Sequence, residues 1–316
     1  VNALFKVFMD ISQVLGYFVI MIELKKLLDR IDITILNTEL YSVGTLWNYK
    51  NVNSPYSRIY CMICGCAQLT MHNKKYDLTP GFLYLVPCFT TVNMSCSEWF
   101  QQYYIHFTSR LQTGIDVLSI LKCNFQANAK EIGIDKKIFD KLLELNPEKE
   151  LFEYDANKPI YKRVTERAFE LDKSKSVSDI LECNALIRLL LSAFFKDCDQ
   201  SQISHTINGL TRFQNVIEYI RQNLDSPIAL QELADIAGLN PTYFSNLFSK
   251  LMGISPIQYV NRRRIEKAQS LLLSSNEPLE SIAMQVGFED VFYFSRLFKK
   301  TTKVSPSVYR KQHILS

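Results

Sequence analysis

Three sets of residues in this chain are of types that do chemistry. The first is eight cysteines, Cys61, Cys64, Cys66, Cys88, Cys96, Cys123, Cys183 and Cys198. Thiolates bind zinc and exchange disulfides, and Cys61-x-x-Cys64-x-Cys66 is their densest run. A closed metal site needs a second pair at suitable spacing, and no Cys/His pair supplies it. A chain of 316 residues also does not need disulfide staples, so the cysteines read as reduced, buried strand residues. The second set is the histidines. Only His72 and His106 fall in the strand-rich half, too few for a three-histidine metal site. With no glycine-rich phosphate loop, no supported Ser/His/Asp set and no HExxH signature, the chain reads as neither enzyme nor cofactor carrier. The third set is cationic. Residues 210–316 hold 13 Lys and Arg against 9 Asp and Glu, while residues 1–209 hold 23 against 23. The whole basic excess, the kind that binds phosphate, sits in the last third.

That last third is one pattern written twice. Leu233-Ala234, Ala237-Gly238, Phe244-Ser245, Leu247-Phe248, Lys250, Ser255-Pro256 and Tyr259 recur as Ile282-Ala283, Val286-Gly287, Phe294-Ser295, Leu297-Phe298, Lys300, Ser305-Pro306 and Tyr309. A small residue one turn before a glycine, then an aromatic helix, suits two helices crossing at a tight turn, as in a helix-turn-helix. Asn240-Pro241 predicts a helix over 242–252 and Ser255-Pro256 one reaching about Leu273. Asp290 caps a helix through Lys300, and Ser305-Pro306 opens a last one. The joining helix, about 18 residues, would span roughly 27 Å, close to one DNA turn of about 34 Å.

At 47% hydrophobic and 22% charged, the rest is ordinary globular chain. Short strands are predicted at 33–36, 58–64, 67–71, 82–86 and 103–107, broken at His72-Asn73-Lys74-Lys75 and Thr79-Pro80-Gly81. This spacing favours a small antiparallel barrel or jelly roll. Helical periodicity follows from Val117 to Cys198, and Asp179 to Phe195 is apolar enough to pack against a second copy. Residues 199–209 read as a polar linker. The apolar run Ile11 to Ile22 is too short to span a bilayer, and residues 1–20 read as an upstream extension, which leaves a cytoplasmic protein without membrane contact.

Ile282-Ala283-x-x-Val286-Gly287-Phe288-x-Asp290-x-x-x-Phe294-Ser295-Arg296-x-Phe298-Lys299-Lys300, followed by Ser305-Pro306-x-x-Tyr309-Arg310, resembles the AraC/XylS family of bacterial transcription regulators. The likeness covers residues 210–316, with Lys303 standing where the family usually has glycine, so a slightly strained helix end is expected there. It implies an α+β chain: a cupin-like sensor barrel at 21–115, entered through Thr79 to Pro87, helices for dimerisation at 116–198, and an all-α domain with two helix-turn-helix motifs at 210–316. Function would be sequence-specific binding of double-stranded DNA as a transcription regulator of the activator type, working with RNA polymerase as a homodimer, with a small-molecule effector on the barrel.

The resemblance places Thr242, Ser245 and Asn246 of the first motif and Val291, Phe292 and Arg296 of the second toward bases. Arg296 can donate two hydrogen bonds to guanine O6 and N7, and Val291 and Phe292 can meet thymine methyls. Tyr243, Lys250, Lys299 and Lys300 are placed on phosphates, which position without specifying sequence. Of Arg262-Arg263-Arg264, Arg264 matches a structural position. Tyr60, Tyr84, Trp99, Tyr103 and Tyr104 make the barrel aromatic with few charges, which favours an uncharged or weakly polar effector. Two alternatives stay open at this point, a ligand-independent DNA-binding protein and a cupin enzyme fused to a DNA-binding module.

Overall fold

The computed structural model describes residues 22, 24–26, 28–111, 115–151, 161–196, 198 and 200–312; the predicted upstream extension lies outside them. Between residues 32 and 128 the described residues form nine strands: β1 Asp32–Gly44, β2 Tyr49–Val52, β3 Ser57–Gly65, β4 Ala67–Met71, β5 Lys74–Leu78, β6 Phe82–Val86, β7 Val92–Ser95, β8 Trp99–Arg110 and β9 Gln126–Asn128. They form a five-stranded sheet in the order β1-β8-β3-β6-β9 and a four-stranded sheet in the order β2-β7-β4-β5. Of the barrel or jelly roll expected, the described strands form two facing sheets and no closed barrel. Tyr60, Met62, Tyr84, Val86 and Tyr104 of the first share one core with Val52, Leu69, Tyr76, Leu78, Val92 and Met94 of the second.

The break expected over His72–Lys75 is only two residues long. His72 and Asn73 take positive φ, 50° and 60°, and Met71 already pairs with Lys74. Two left-handed residues make the tight hairpin whose twist matches its strands, so β5 starts at once. Strands β2, β5, β7 and β9 were not predicted. They are only three to five residues long, and β2 and β5 each contain two successive residues turned to solvent, Lys50-Asn51 and Lys74-Lys75, which leaves little apolar alternation to read.

Three helices follow: α1 Lys136–Glu144, α2 Tyr161–Asp172 and α3 Val177–Ser192. Phe139 of α1 stacks on Tyr103 of the five-stranded sheet with ring centroids 5.2 Å apart. Buried Lys149 closes the segment after α1 onto β1: its Nζ donates to Ile35 O at 2.8 Å and to Asp172 Oδ1 at 2.8 Å. Ser176 and Asp179 form a reciprocal capping box that starts α3.

The remaining helices are α4 Gln200–Arg212, α5 Gln214–Gln222, α6 Leu230–Ile236, α7 Pro241–Met252, α8 Pro256–Ser274, α9 Leu279–Gln285, α10 Val291–Thr302 and α11 Pro306–Gln312. The expected linker at 199–209 is corrected by α4. Its polar composition hides Ile203, Ile207 and Leu210, all buried, at a spacing of four and three that makes one apolar stripe. At Gly209 a Cβ would stand 2.9 Å from Leu251 Cβ and 3.0 Å from Met252 Sδ, so a glycine lets α4 lie closely on α7.

The chain divides into two compact units that cut across sequence order. One gathers the described residues up to Asp32 with 110–122 and 199–261. Its core joins Ile115 to Leu210, Phe213, Ile217, Leu233, Phe244, Phe248 and Tyr259. The other gathers 33–109, 123–198 and 262–316. In it the sheets carry the last helices directly: Gln269 Nε2 donates to Asn53 Oδ1 at 2.8 Å, and Tyr309 Oη donates to Asn53 O at 3.2 Å. Among the described residues no helix is long and apolar enough to cross a membrane.

Candidate nucleic-acid interface

The repeated sequence folds into repeated geometry. α7 begins at Asn240, whose side chain accepts from Tyr243 N at 2.9 Å, with Pro241 at the first helical position. α10 begins at Asp290, whose Oδ1 accepts from Phe292 N at 2.7 Å. Each cap satisfies a backbone N–H that a helix start leaves unpaired. Phe244 and Phe248 of α7 lie 5.6 Å apart at 60°, and Phe294 and Phe298 of α10 lie 5.7 Å apart at 62°. The next aromatic closes each core edge-on, Phe248 to Tyr259 at 5.6 Å and Phe298 to Tyr309 at 5.3 Å. Two cores built alike, fifty residues apart, hold α7 and α10 by the same face.

The opposite faces are open. On α7, Thr242, Tyr243, Asn246 and Lys250 are exposed and Ser245 is half-buried on the flank; on α10, Phe292, Arg296, Lys299 and Lys300 are exposed. Positions 242, 243, 246 and 250 and positions 292, 293, 296 and 300 have the same spacing, one helix face in each case. Val291 departs from the reading. It is half-buried against the core of Phe294, Phe298 and Tyr309, because it stands where α7 has Pro241. Its place toward solvent is taken by Tyr293, 44% exposed. The repeat register, Tyr243 plus fifty, was the signal that could have found it.

The three-arginine run does not form a free cationic patch. Arg262 Nε and Arg263 Nη1 pair with buried Glu266 at 3.0 and 2.6 Å, and Arg264, itself buried, lies over the Phe288 ring at 5.4 Å. The free basic character of this segment is therefore carried largely by the lysines of α7 and α10. The cysteine triplet does not converge either: Cys61 is buried, Cys64 half-buried and Cys66 exposed. Burial pushes the Cys61 thiol up to about 12, which leaves it protonated at neutral pH.

Two helix pairs, each with a second helix that is capped at its start, aromatic behind and open with basic residues in front, define a class, and residues 233–312 match the helix-turn-helix domain family. The C-terminal segment of the chain carries this match and is similar to curated bacterial regulators. It is similar to the regulatory protein PocR of Salmonella typhimurium, 34% identical over 153 residues, which covers 45% of this chain and 50% of that protein. It is also similar to the arabinose operon regulatory protein of Escherichia coli, 37% identical over 134 residues, 42% of this chain and 44% of that one. The chain thus spans about half the length of the curated relatives it matches. Among solved structures, the C-terminal domain of AraT, a response regulator from Geobacillus stearothermophilus, is 34% identical with a TM-score of 0.32, covering 33% of this chain and 88% of that one.

Proposed function

We propose that the chain is a sequence-specific, double-stranded DNA-binding transcription regulator with two helix-turn-helix motifs, α6–α7 and α9–α10. The observation that carries this is the pairing of identical aromatic backs with exposed fronts that repeat Tyr243 as Tyr293 and Lys250 as Lys300 but differ between them, Thr242 against Phe292 and Asn246 against Arg296. A duplicated fold under one architectural demand keeps its core, while two reading helices on different bases diverge at the surface. Arg296 is assigned to a guanine, Thr242, Ser245 and Asn246 to base edges, and Phe292, 75% exposed, to a thymine methyl. Tyr243, Lys250, Lys299 and Lys300 are assigned to phosphates, and Tyr293 joins them by register. Val291 retains only an edge contact.

In the same reading the two-sheet segment is a cupin-like effector domain, and α3 mediates homodimerisation. Activation through RNA polymerase rests on the family resemblance alone. Selection from a random duplex pool tests the DNA-binding assignment. The full chain should enrich one site containing two separate conserved blocks, and a pool that stays unenriched at moderate salt would sink the reading.

A further inference from the structure

The expectation of an effector pocket without charge meets an exception in Arg58, on the inward side of β3. Arg58 is 2% exposed, and among the described residues no carboxylate pairs with it. Its partners are neutral. Nη2 donates to Ser54 Oγ, the guanidinium lies 5.2 Å from the Tyr56 ring, and the Tyr60 and Tyr56 side chains favour its charged form against the cost of burial. A guanidinium taken out of water without a counter-ion is costly, and an anion offsets that cost. Directly across the ladder from Arg58 stands His106, 6% exposed, with Nδ1 buried and unpartnered. Burial first, and then Arg58, hold its pKa well below the ordinary histidine range, so it adds no second positive charge. Gln102, 1% exposed, leaves Oε1 buried and unpartnered on the same strand, about 13 Å along β8.

We propose that Arg58 anchors the carboxylate of a monoanionic organic effector, with His106 Nδ1 as a second hydrogen-bonding group. The effector's body lies against the rings of Tyr56, Tyr60 and Tyr104. The inference rests on reading this segment as an effector domain and names the ligand class. One guanidinium balances one negative charge, and its planar fork matches a carboxylate in two parallel bonds; a phosphate dianion would leave a charge unmatched in an aromatic interior. Ser54, the hydroxyl such a carboxylate would replace, adjoins Asn53, which holds Gln269 and Tyr309 of the last helices.

Thermal unfolding of the full chain with benzoate, 3-phenylpropanoate or octanoate, each beside its primary amide, tests the assignment. At saturation at least one carboxylate should raise Tm by about 2–4 °C or more, and its amide should not. Arg58→Met should lose this shift and melt, without ligand, at or above the temperature of the parent, because the unpaired charge is gone. Arg58→Lys should keep part of the shift. Equal stabilisation by acid and amide, a shift retained in Arg58→Met, no shift with any of the three acids, or an unliganded Arg58→Met that melts several degrees lower would each overturn the site. Failure to select a DNA sequence, with or without carboxylate, would count against the regulator reading while leaving the Tm result intact.

Discussion

Lys303 and Gly253 occupy the same place, the left-handed residue that ends α10 and α7, with φ of 72° and 75°. Glycine takes that conformation freely because it has no Cβ to crowd the backbone, and an L-residue there costs about 1–2 kcal/mol. Part of this is offset by the freedom a glycine loses on folding. Lys303→Gly should therefore stabilise the chain by about 0.5–1 kcal/mol in denaturant unfolding, and a destabilised variant would refute the strain at this helix end. Lys149 makes a second residue-level test. Burial lowers its pKa from 10.5 to about 8, despite the opposing pull of Asp172. Between those values the unfolded chain holds a proton that the folded chain has released, so stability rises with pH across that window, by about 3 kcal/mol in all. The parent should gain on Lys149→Met between pH 7.5 and pH 10.5 in urea titrations; parallel profiles would mean that the ammonium is not desolvated. Neither effect is equally legible in sequence. The repeat pointed to Lys303, whereas nothing local to Lys149 or Arg58 announces that distant segments bury them.

The helices of the repeat were readable because each start signal is contiguous with the helix it starts. Asn240-Pro241, Ser255-Pro256 and Asp290 all act on backbone N–H groups within three residues. The short strands and α4 were not readable in this way, since their stability comes from partners far along the chain, as Ile203 and Ile207 illustrate within a polar composition. The α3 helix shows the same division within one element. Leu190, expected at a dimer interface, is 0% exposed in its own unit, and Leu186 is half-buried. The face left open carries Val177, Leu181, Ala185 and Leu189, a stripe with a step of four residues. Leu181→Glu with Leu189→Glu should convert a dimer to folded monomer in sedimentation while secondary structure is unchanged. A parent chain that already sediments as a monomer would contradict dimerisation through α3.

At the scale of the molecule, sequence order and compactness disagree. The expected division placed both helix-turn-helix motifs in one domain at 210–316, yet the second pair shares a compact unit with the two sheets through Asn53, Gln269 and Tyr309. Under the proposed reading, this buried, hydrogen-bonded junction would couple an effector in the sheets to the last helices, as ligand-dependent reading of DNA requires. The candidate contact surface was largely legible because duplication fixes register: nine of the ten assigned residues stand on or beside the open faces of α7 and α10, Val291 being the exception. The central claim is that these faces read sequence. Its most direct test compares Arg296→Ala and Lys299→Ala with the parent on a panel of single-base variants of the selected site. Arg296→Ala should lose about 1–3 kcal/mol and flatten preference at one base pair, while Lys299→Ala weakens every duplex alike and lowers the salt slope by about one. A uniform loss across the panel for Arg296→Ala would make it a phosphate contact and would contradict the account.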